Sequence, residues 1–277
     1  MFITRTISGA VLVALAFAVI IPGGYVLAGA TLLLSLIAYR ELMKCCKLDG
    51  SNQKKAIGPF SDLELIGYIS ILGYYAVLIF TAERMLLISA IVAILILFMA
   101  LYVFTFPKHD AKEIMMSFFC IAYAPLMLTF LYLTRELPYG KHVVWMIFIS
   151  SWVCDTAAYC VGMLIGKHKL APVLSPKKSI EGAIGGVVGS ALAGAAFGYF
   201  VMAGDVPEKN MTLMFAIISA VGAVISQIGD LAASGIKRNQ EIKDYGKLIP
   251  GHGGVMDRFD SVIFTAPMIY LLSLLLL

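Results

Sequence analysis

Charge is scarce in this chain. Only 14% of its 277 residues are Asp, Glu, Lys or Arg, against 60% hydrophobic residues, and the mean hydropathy is +0.91. A soluble globular domain carries roughly 25% charged residues, so this composition argues for an integral membrane protein. No polar segment is long enough to fold as a soluble domain alone. Cysteine is also sparse: Cys45, Cys46, Cys120, Cys154 and Cys160 include no C-x-x-C and no metal-type pair. The last three read as small apolar residues within spans. Cys45 and Cys46 sit at a helix end, where packing and palmitoylation both remain open. An internal repeat is lacking too. The net charge of +4 requires no nucleic-acid partner, because basic residues at an inner membrane surface follow from topology and anionic lipid.

What the chain has is apolar length. Nine apolar stretches run over 6–22, 24–39, 65–82, 85–106, 114–133, 143–165, 182–202, 211–230 and 261–277. Several approach the ~20 residues that a helix needs to span a bilayer. The expected fold is all-α, a polytopic integral membrane protein with about nine transmembrane helices. The chain reads as a single membrane domain over 1–277. In 1–150 charge stays in loops and span ends, as in a scaffold; in 151–277 polar residues enter the spans and cytoplasmic loops, as in a catalytic half.

Orientation follows from the basic residues. With a cytoplasmic N-terminus, every Lys and Arg faces the cytoplasm except Arg84, Arg135, Lys141 and Lys209. That bias predicts a multi-pass protein of the inner, cytoplasmic membrane, N-terminus in and C-terminus out. The start has a second reading: Arg5, an apolar run to Ile21 and the small residues of Leu27-Ala28-Gly29-Ala30 also suit a cleavable signal peptide.

The densest charge lies between the last two apolar stretches. Gln227, Asp230 and Ser234 are spaced i, i+3, i+7, on one helical face, and Lys237 and Arg238 continue the polar sector. His252-Gly253-Gly254 then precedes Asp257, Arg258 and Asp260. Glycines let backbone N–H groups approach an anion closely. Ionisable groups beside hydrocarbon are costly and mark functional sites. Three carboxylates (Asp230, Asp257 and Asp260) suit a hard divalent cation, and the basic groups suit phosphates.

A second block holds Asp155 within a span, then Ser175-Pro176-Lys177-Lys178-Ser179 and Glu181. Ser175-Pro176 is expected to open a helix, with Pro in its first turn. That places Ser179 and the lysines near an N-terminus favourable to phosphate. Lys177 and Lys178 also suit topology anchoring, and Glu181 also suits the helix dipole. Glu41, Glu64, Glu83 and Glu136 read as interfacial residues flanking spans, and His142 as a loop residue on the outer face.

Together these residues resemble the phosphatidate cytidylyltransferase (CDP-diacylglycerol synthase) family in its bacterial form. The family's C-terminal signature is filled without a gap by Ser234, Ile236, Lys237, Arg238, Lys243, Asp244, Gly246, Ile249, Pro250, His252, Gly253, Gly254, Val255, Asp257, Arg258, Phe259 and Asp260. The upstream Ser-Pro-Lys-Lys-Thr-Trp-Glu-Gly pattern matches at 175–182, with Ser179-Ile180 in place of Thr-Trp. Ser keeps the hydroxyl, and loss of Trp alters packing.

The resemblance implies that CTP and phosphatidate are the substrates, CDP-diacylglycerol and pyrophosphate the products, and Mg2+ the cofactor. It leaves open a second, monovalent cation and a homodimer. It implies Asp230, Asp257, Asp260, Lys237 and Arg258 as catalytic, the three acids as metal ligands. Asp155, Lys177, Lys178, Ser179, Ser234, Arg238, His252, Gly253 and Gly254 are implied as substrate-binding. Two rivals differ in class. An ion-coupled transporter would show repeated halves and a midplane site. Another CDP-alcohol lipid transferase would carry Asp-Gly-x-x-Ala-Arg, which is absent.

Overall fold

The computed structural model describes residues 2–48, 61–81, 83–202, 210–251 and 253–277. Lys54, Lys55, Lys209 and His252 lie outside the described residues. The described residues form nine helices: α1 (Phe2–Ile20), α2 (Gly24–Cys45), α3 (Asp62–Phe80), α4 (Arg84–Thr105), α5 (Ala111–Arg135), α6 (Gly140–Ile165), α7 (Ile180–Val201), α8 (Met211–Asn239) and α9 (Met256–Leu276). All but α1 are long and apolar enough to cross a membrane. The all-α polytopic expectation holds.

Local sequence explains where several helices begin. The first N–H groups of a helix lack intrahelical partners, and Ser, Asp or Asn at the boundary supplies one. Ser61 Oγ accepts from Glu64 N at 3.1 Å, Ser179 Oγ from Gly182 N at 3.2 Å, and Asn210 Oδ1 from Leu213 N at 3.1 Å. Asp110 and Glu113 form a reciprocal capping box at the start of α5. Helices α5 and α6 each contain a π-helical turn, Ala122–Leu126 and Ile149–Val153. Pro125 lies in the first; a proline removes one helical donor, which the wider turn accommodates. The second ends one residue before Cys154 and Asp155.

One expectation is corrected. Ser175 to Ser179 form not a helix start but a strand, β2 (Ser175–Ser179), paired antiparallel with β1 (Lys169–Ala171). The helix begins at Ile180 because Ser179 is its cap. Helix α8 continues past the apolar stretch 211–230 to Asn239, so Ser234, Lys237 and Arg238 are helical, as their spacing suggests. No Gly or Pro that would break it intervenes except Gly235.

The chain divides into two compact units. The first comprises residues 1–129 and 242–258, the second 130–241 and 259–277. The core of the first gathers Tyr39, Leu42, Met43, Leu63, Ile71, Tyr75 and Phe98, all fully buried. Its buried tyrosines are tied by hydrogen bonds: Tyr75 Oη and Ser35 Oγ lie 2.8 Å apart, and Tyr39 Oη donates to Leu63 O at 3.2 Å. Helix α4 leaves Met85, Leu86, Ile88, Val92, Leu95 and Ile96 exposed, a face suited to lipid.

The second unit is built on α6, α7 and α8. Along α7, Gly182, Gly186, Ser190 and Gly194 recur every four residues and are buried. Small residues at this spacing let membrane helices approach closely. A Cβ at Gly186 would lie 2.8 Å from Cys154 Sγ, and one at Gly194 would lie 2.5 Å from Phe215 O.

Candidate active site

In the second unit the chain folds so that its polar residues meet at one end. Helix α6 ends at Ile165, the β1–β2 hairpin follows, and α7 starts directly after it. Glu181 closes this turn: its carboxylate accepts Lys167 N at 3.1 Å and His168 N at 3.2 Å, and pairs with His168 Nδ1 at 2.6 Å. Its role exceeds dipole complementarity. Gly162, Gly166 and Gly182 admit the Ser179 hydroxyl, since a Cβ at Gly162 or Gly182 would lie 2.9 Å from Ser179 Oγ. Gln227 of α8 ties in from the side, Nε2 donating to Ala183 O at 3.0 Å.

These elements enclose a cleft of about 430 Å3. Asp155, Lys177, Lys178, Ser179 and Gln227 line its polar part, and Tyr159, Met163 and Leu170 its apolar flank. Lys178 Nζ is ion-paired with Asp230 Oδ2, both side chains about one quarter exposed. Asp260 lies within electrostatic reach of Asp230, Asp155 and Lys237. Its Oδ1 accepts Ser261 N at 2.8 Å. Gly229 permits this approach of α8 to α9: a Cβ there would lie 2.9 Å from Asp260 O. The second unit therefore gathers Asp155, Lys177, Lys178, Ser179, Asp230, Lys237 and Asp260. Ser234 shares the half-buried face of α8, and Arg238 is exposed.

The first unit contains Gly253, Gly254, Asp257 and Arg258. Asp257 is 6% exposed, and its Oδ2 accepts Tyr245 N at 2.8 Å and Gly254 N at 3.0 Å. Gly253 has φ +85°, which glycine adopts without strain, and a Cβ there would lie 2.8 Å from Asp257 Oδ2. The Gly254 amide, expected to face a phosphate, thus serves a protein carboxylate. Arg258 is exposed.

Sequence reasoning missed one residue here. Glu41 is no interfacial flank: it is 7% exposed, and its carboxylate accepts Val255 N at 3.0 Å and Met256 N at 2.8 Å. Glu64 is likewise buried, accepting from Tyr68 Oη at 3.0 Å. The sequence carries no signal for either: Glu41 lies just past the apolar stretch 24–39 and Glu64 just before 65–82. His142 also departs from expectation: it lies in the first turn of α6, its ring 6.5 Å from that of Phe197.

The oxygen-only donors of this end suit a hard cation. Among the described residues no three acids, histidines or cysteines converge as a ready metal shell. Mg2+ does not demand one, since it is bound through one or two carboxylates plus waters and substrate phosphates. Asp230 and Asp260 supply such a pair.

Known proteins are similar to this chain over nearly its whole length. The sequence pattern of the Cytidylyltransferase family matches residues 3–276. A protein of Staphylococcus haemolyticus named phosphatidate cytidylyltransferase is 34% identical over 272 residues, covering 97% of each chain. Proteins of the same name from Staphylococcus aureus (strain COL) and Staphylococcus saprophyticus are 33% and 32% identical, again over 97% of each chain. A match of this extent leaves the transporter alternative without support, and the chain belongs to the cytidylyltransferase family.

Proposed function

We propose that this protein is a phosphatidate cytidylyltransferase, converting CTP and phosphatidate to CDP-diacylglycerol and pyrophosphate at the cytoplasmic face of the membrane. The observation that carries the reading is the cleft bearing Lys177, Lys178 and Asp155, with Lys178 joined to Asp230. It offers cations and acids beside the apolar flank of Tyr159, Met163 and Leu170. An amphipathic substrate, with a phosphate head and acyl tails, needs both.

The chemistry is attack by a phosphatidate oxygen on the α-phosphorus of CTP. One P–O bond forms, the bond to the β-phosphate breaks, and pyrophosphate leaves with the electron pair. The nucleophile is already anionic, so the residues position groups and neutralise charge. Lys177, Lys178, Lys237, Arg238 and Arg258 bind phosphate oxygens, Arg by two-pronged contact and Lys as a point charge. Ser179, Ser234 and His252 add polar contacts. Asp230 and Asp260 would hold Mg2+, which would supply charge neutralisation for the triphosphate. Asp257, which the C-terminal signature contains, would be a further ligand of the same metal. A second, monovalent cation and a homodimer are compatible with this reading.

The test is direct. Detergent-purified protein with CTP, phosphatidate and Mg2+ should release pyrophosphate and form CDP-diacylglycerol, and omission of any one should stop it. Pyrophosphate release without phosphatidate, or none with all three, overturns the reading.

A further inference from the structure

Helix α9 begins at Met256, and the residue before it is Val255. Valine cannot cap a helix, because it has no side-chain acceptor. The helices that open after Ser61, Asp110, Ser179 and Asn210 supply their own caps; α9 does not. The amides leading into it are held within the first unit by two carboxylates. Asp257 takes Gly254 N, and Glu41, from the interior of α2, takes Val255 N and Met256 N, one with each oxygen. Three successive N–H groups are thereby fixed immediately before Asp257 and Arg258.

The surrounding loop is shaped to admit Glu41. A Cβ at Gly246 or Gly254 would overlap its carboxylate. A buried carboxylate is tolerated only with such partners. An acid held here against the cost of burial, by two glycines and two amides, does more than fill space.

We infer that Glu41 is a positioning residue for the nucleotidyl transfer, acting by fixing the start of α9 and with it Asp257 and Arg258. This rests on the reading of Asp257 and Arg258 given above. A charged group displaced by ~1 Å from its working geometry can lose ~100-fold in rate. Supporting residues that orient functional groups typically cost ~10–100-fold when removed.

The test uses Glu41→Gln in the full-length, detergent-purified protein. Glutamine keeps the shape but accepts through one oxygen, and its NH2 group faces the other amide. The turnover number per folded molecule should fall by at least ~10-fold. KM for CTP and for phosphatidate should each stay within ~3-fold, because ground-state binding is retained. A merely structural role would lower the thermal midpoint and the folded yield, and leave kcat per folded molecule unchanged. Combined with Arg258→Lys, the two losses should be far less than multiplicative, as for residues acting as a unit.

An unchanged kcat in Glu41→Gln, or multiplicative losses in the double variant where Arg258→Lys is itself impaired, overturns the inference. Should Glu41→Gln fail to fold, Gly246→Ala presses on the same carboxylate and should give the same kcat loss. Full turnover in that variant, or failure of both to fold, also overturns it. An inactive wild-type preparation would instead refute the proposed reaction, and an unimpaired Arg258→Lys would refute only the role of Arg258.

Discussion

Lys178 and Asp230 are ion-paired across the second unit, from the end of β2 to the middle of α8. The proposed phosphate-binding cation and the proposed metal ligand neutralise each other in the absence of ligands. In the proposed reaction Asp230 would hold Mg2+ and Lys178 a phosphate, so binding of both would redistribute this pair. Lys178→Ala should therefore have two opposed effects. KM for CTP or phosphatidate should rise, by ~10-fold for loss of a charge-assisted contact. The Mg2+ concentration for half-maximal rate, with CTP saturating, should fall. Initial rates over a Mg2+ titration decide; an unchanged Mg2+ requirement would show that the pair does not gate the metal site.

Asp230 and Asp257 should part company in stability. Asp230 is about one quarter exposed and has a lysine partner, whereas Asp257 is 6% exposed and holds two backbone amides. Asp230→Asn should lose at least ~100-fold in turnover, at saturating Mg2+, and keep its thermal midpoint. Asp257→Asn should lose turnover as well, and also lose ~1 kcal/mol of stability, because the two amides that share Oδ2 are left bonding a neutral amide oxygen in place of a carboxylate. Activity assays beside thermal melts of both variants test this. Near-wild-type activity in either removes that residue from the metal site.

Arg258 follows Asp257 directly, and its side chain is exposed. If it grips a phosphate in two-pronged fashion, lysine cannot replace it. Arg258→Lys should lower kcat by ~10-fold or more, with little change in folding. Steady-state kinetics with CTP and phosphatidate varied separately measure it. An unchanged kcat would make Arg258 a topology anchor.

The sequence announced these residues unevenly. Apolar length alone located the spans, because the bilayer fixes their size. The i, i+3, i+7 spacing of Gln227, Asp230 and Ser234 put them on one face of a real helix. Two things were illegible. Ser175-Pro176 reads as a helix start by local preference, yet pairing with Lys169–Ala171 makes it a strand. Glu41 stands 214 positions before Val255, and no periodicity links them. Its meaning depends on a tertiary contact, visible only once Gly246 and Gly254 are seen to leave room for it.

The glycines of α7 offer a test of packing apart from chemistry. Gly→Ala in a helix interior gains up to ~1 kcal/mol where space exists. At Gly194 there is none: a Cβ would lie 2.5 Å from Phe215 O and would overlap the Ser219 hydroxyl. Overpacking costs ~1–3 kcal/mol, which exceeds the gain. Gly194→Ala should thus melt earlier than wild type. Gly73→Ala on α3, with nothing within 4 Å of the new methyl, should melt no earlier. Equal midpoints for the two variants would contradict the close approach of α7 to α8.

The charge bias predicts which loops share a side. Lys169 on β1 and Lys247 after α8 are both exposed, and both belong to segments rich in Lys and Arg. Positive residues concentrate on the cytoplasmic side of membrane proteins, so both should face inward, with Leu277 outside. Cysteines placed singly at 169, 247 and 277 in a Cys-free background can be probed with a membrane-impermeant maleimide. Position 247 serves better than Tyr245, which is only 6% exposed. In intact cells the reagent should reach only 277, and in inverted vesicles only 169 and 247. The proposed reaction draws Lys177 and Lys178 from one of these segments and Arg258 from the other. Labelling of 169 and 247 from opposite sides would leave no single face at which CTP could meet both, and the proposed chemistry would fall with the topology.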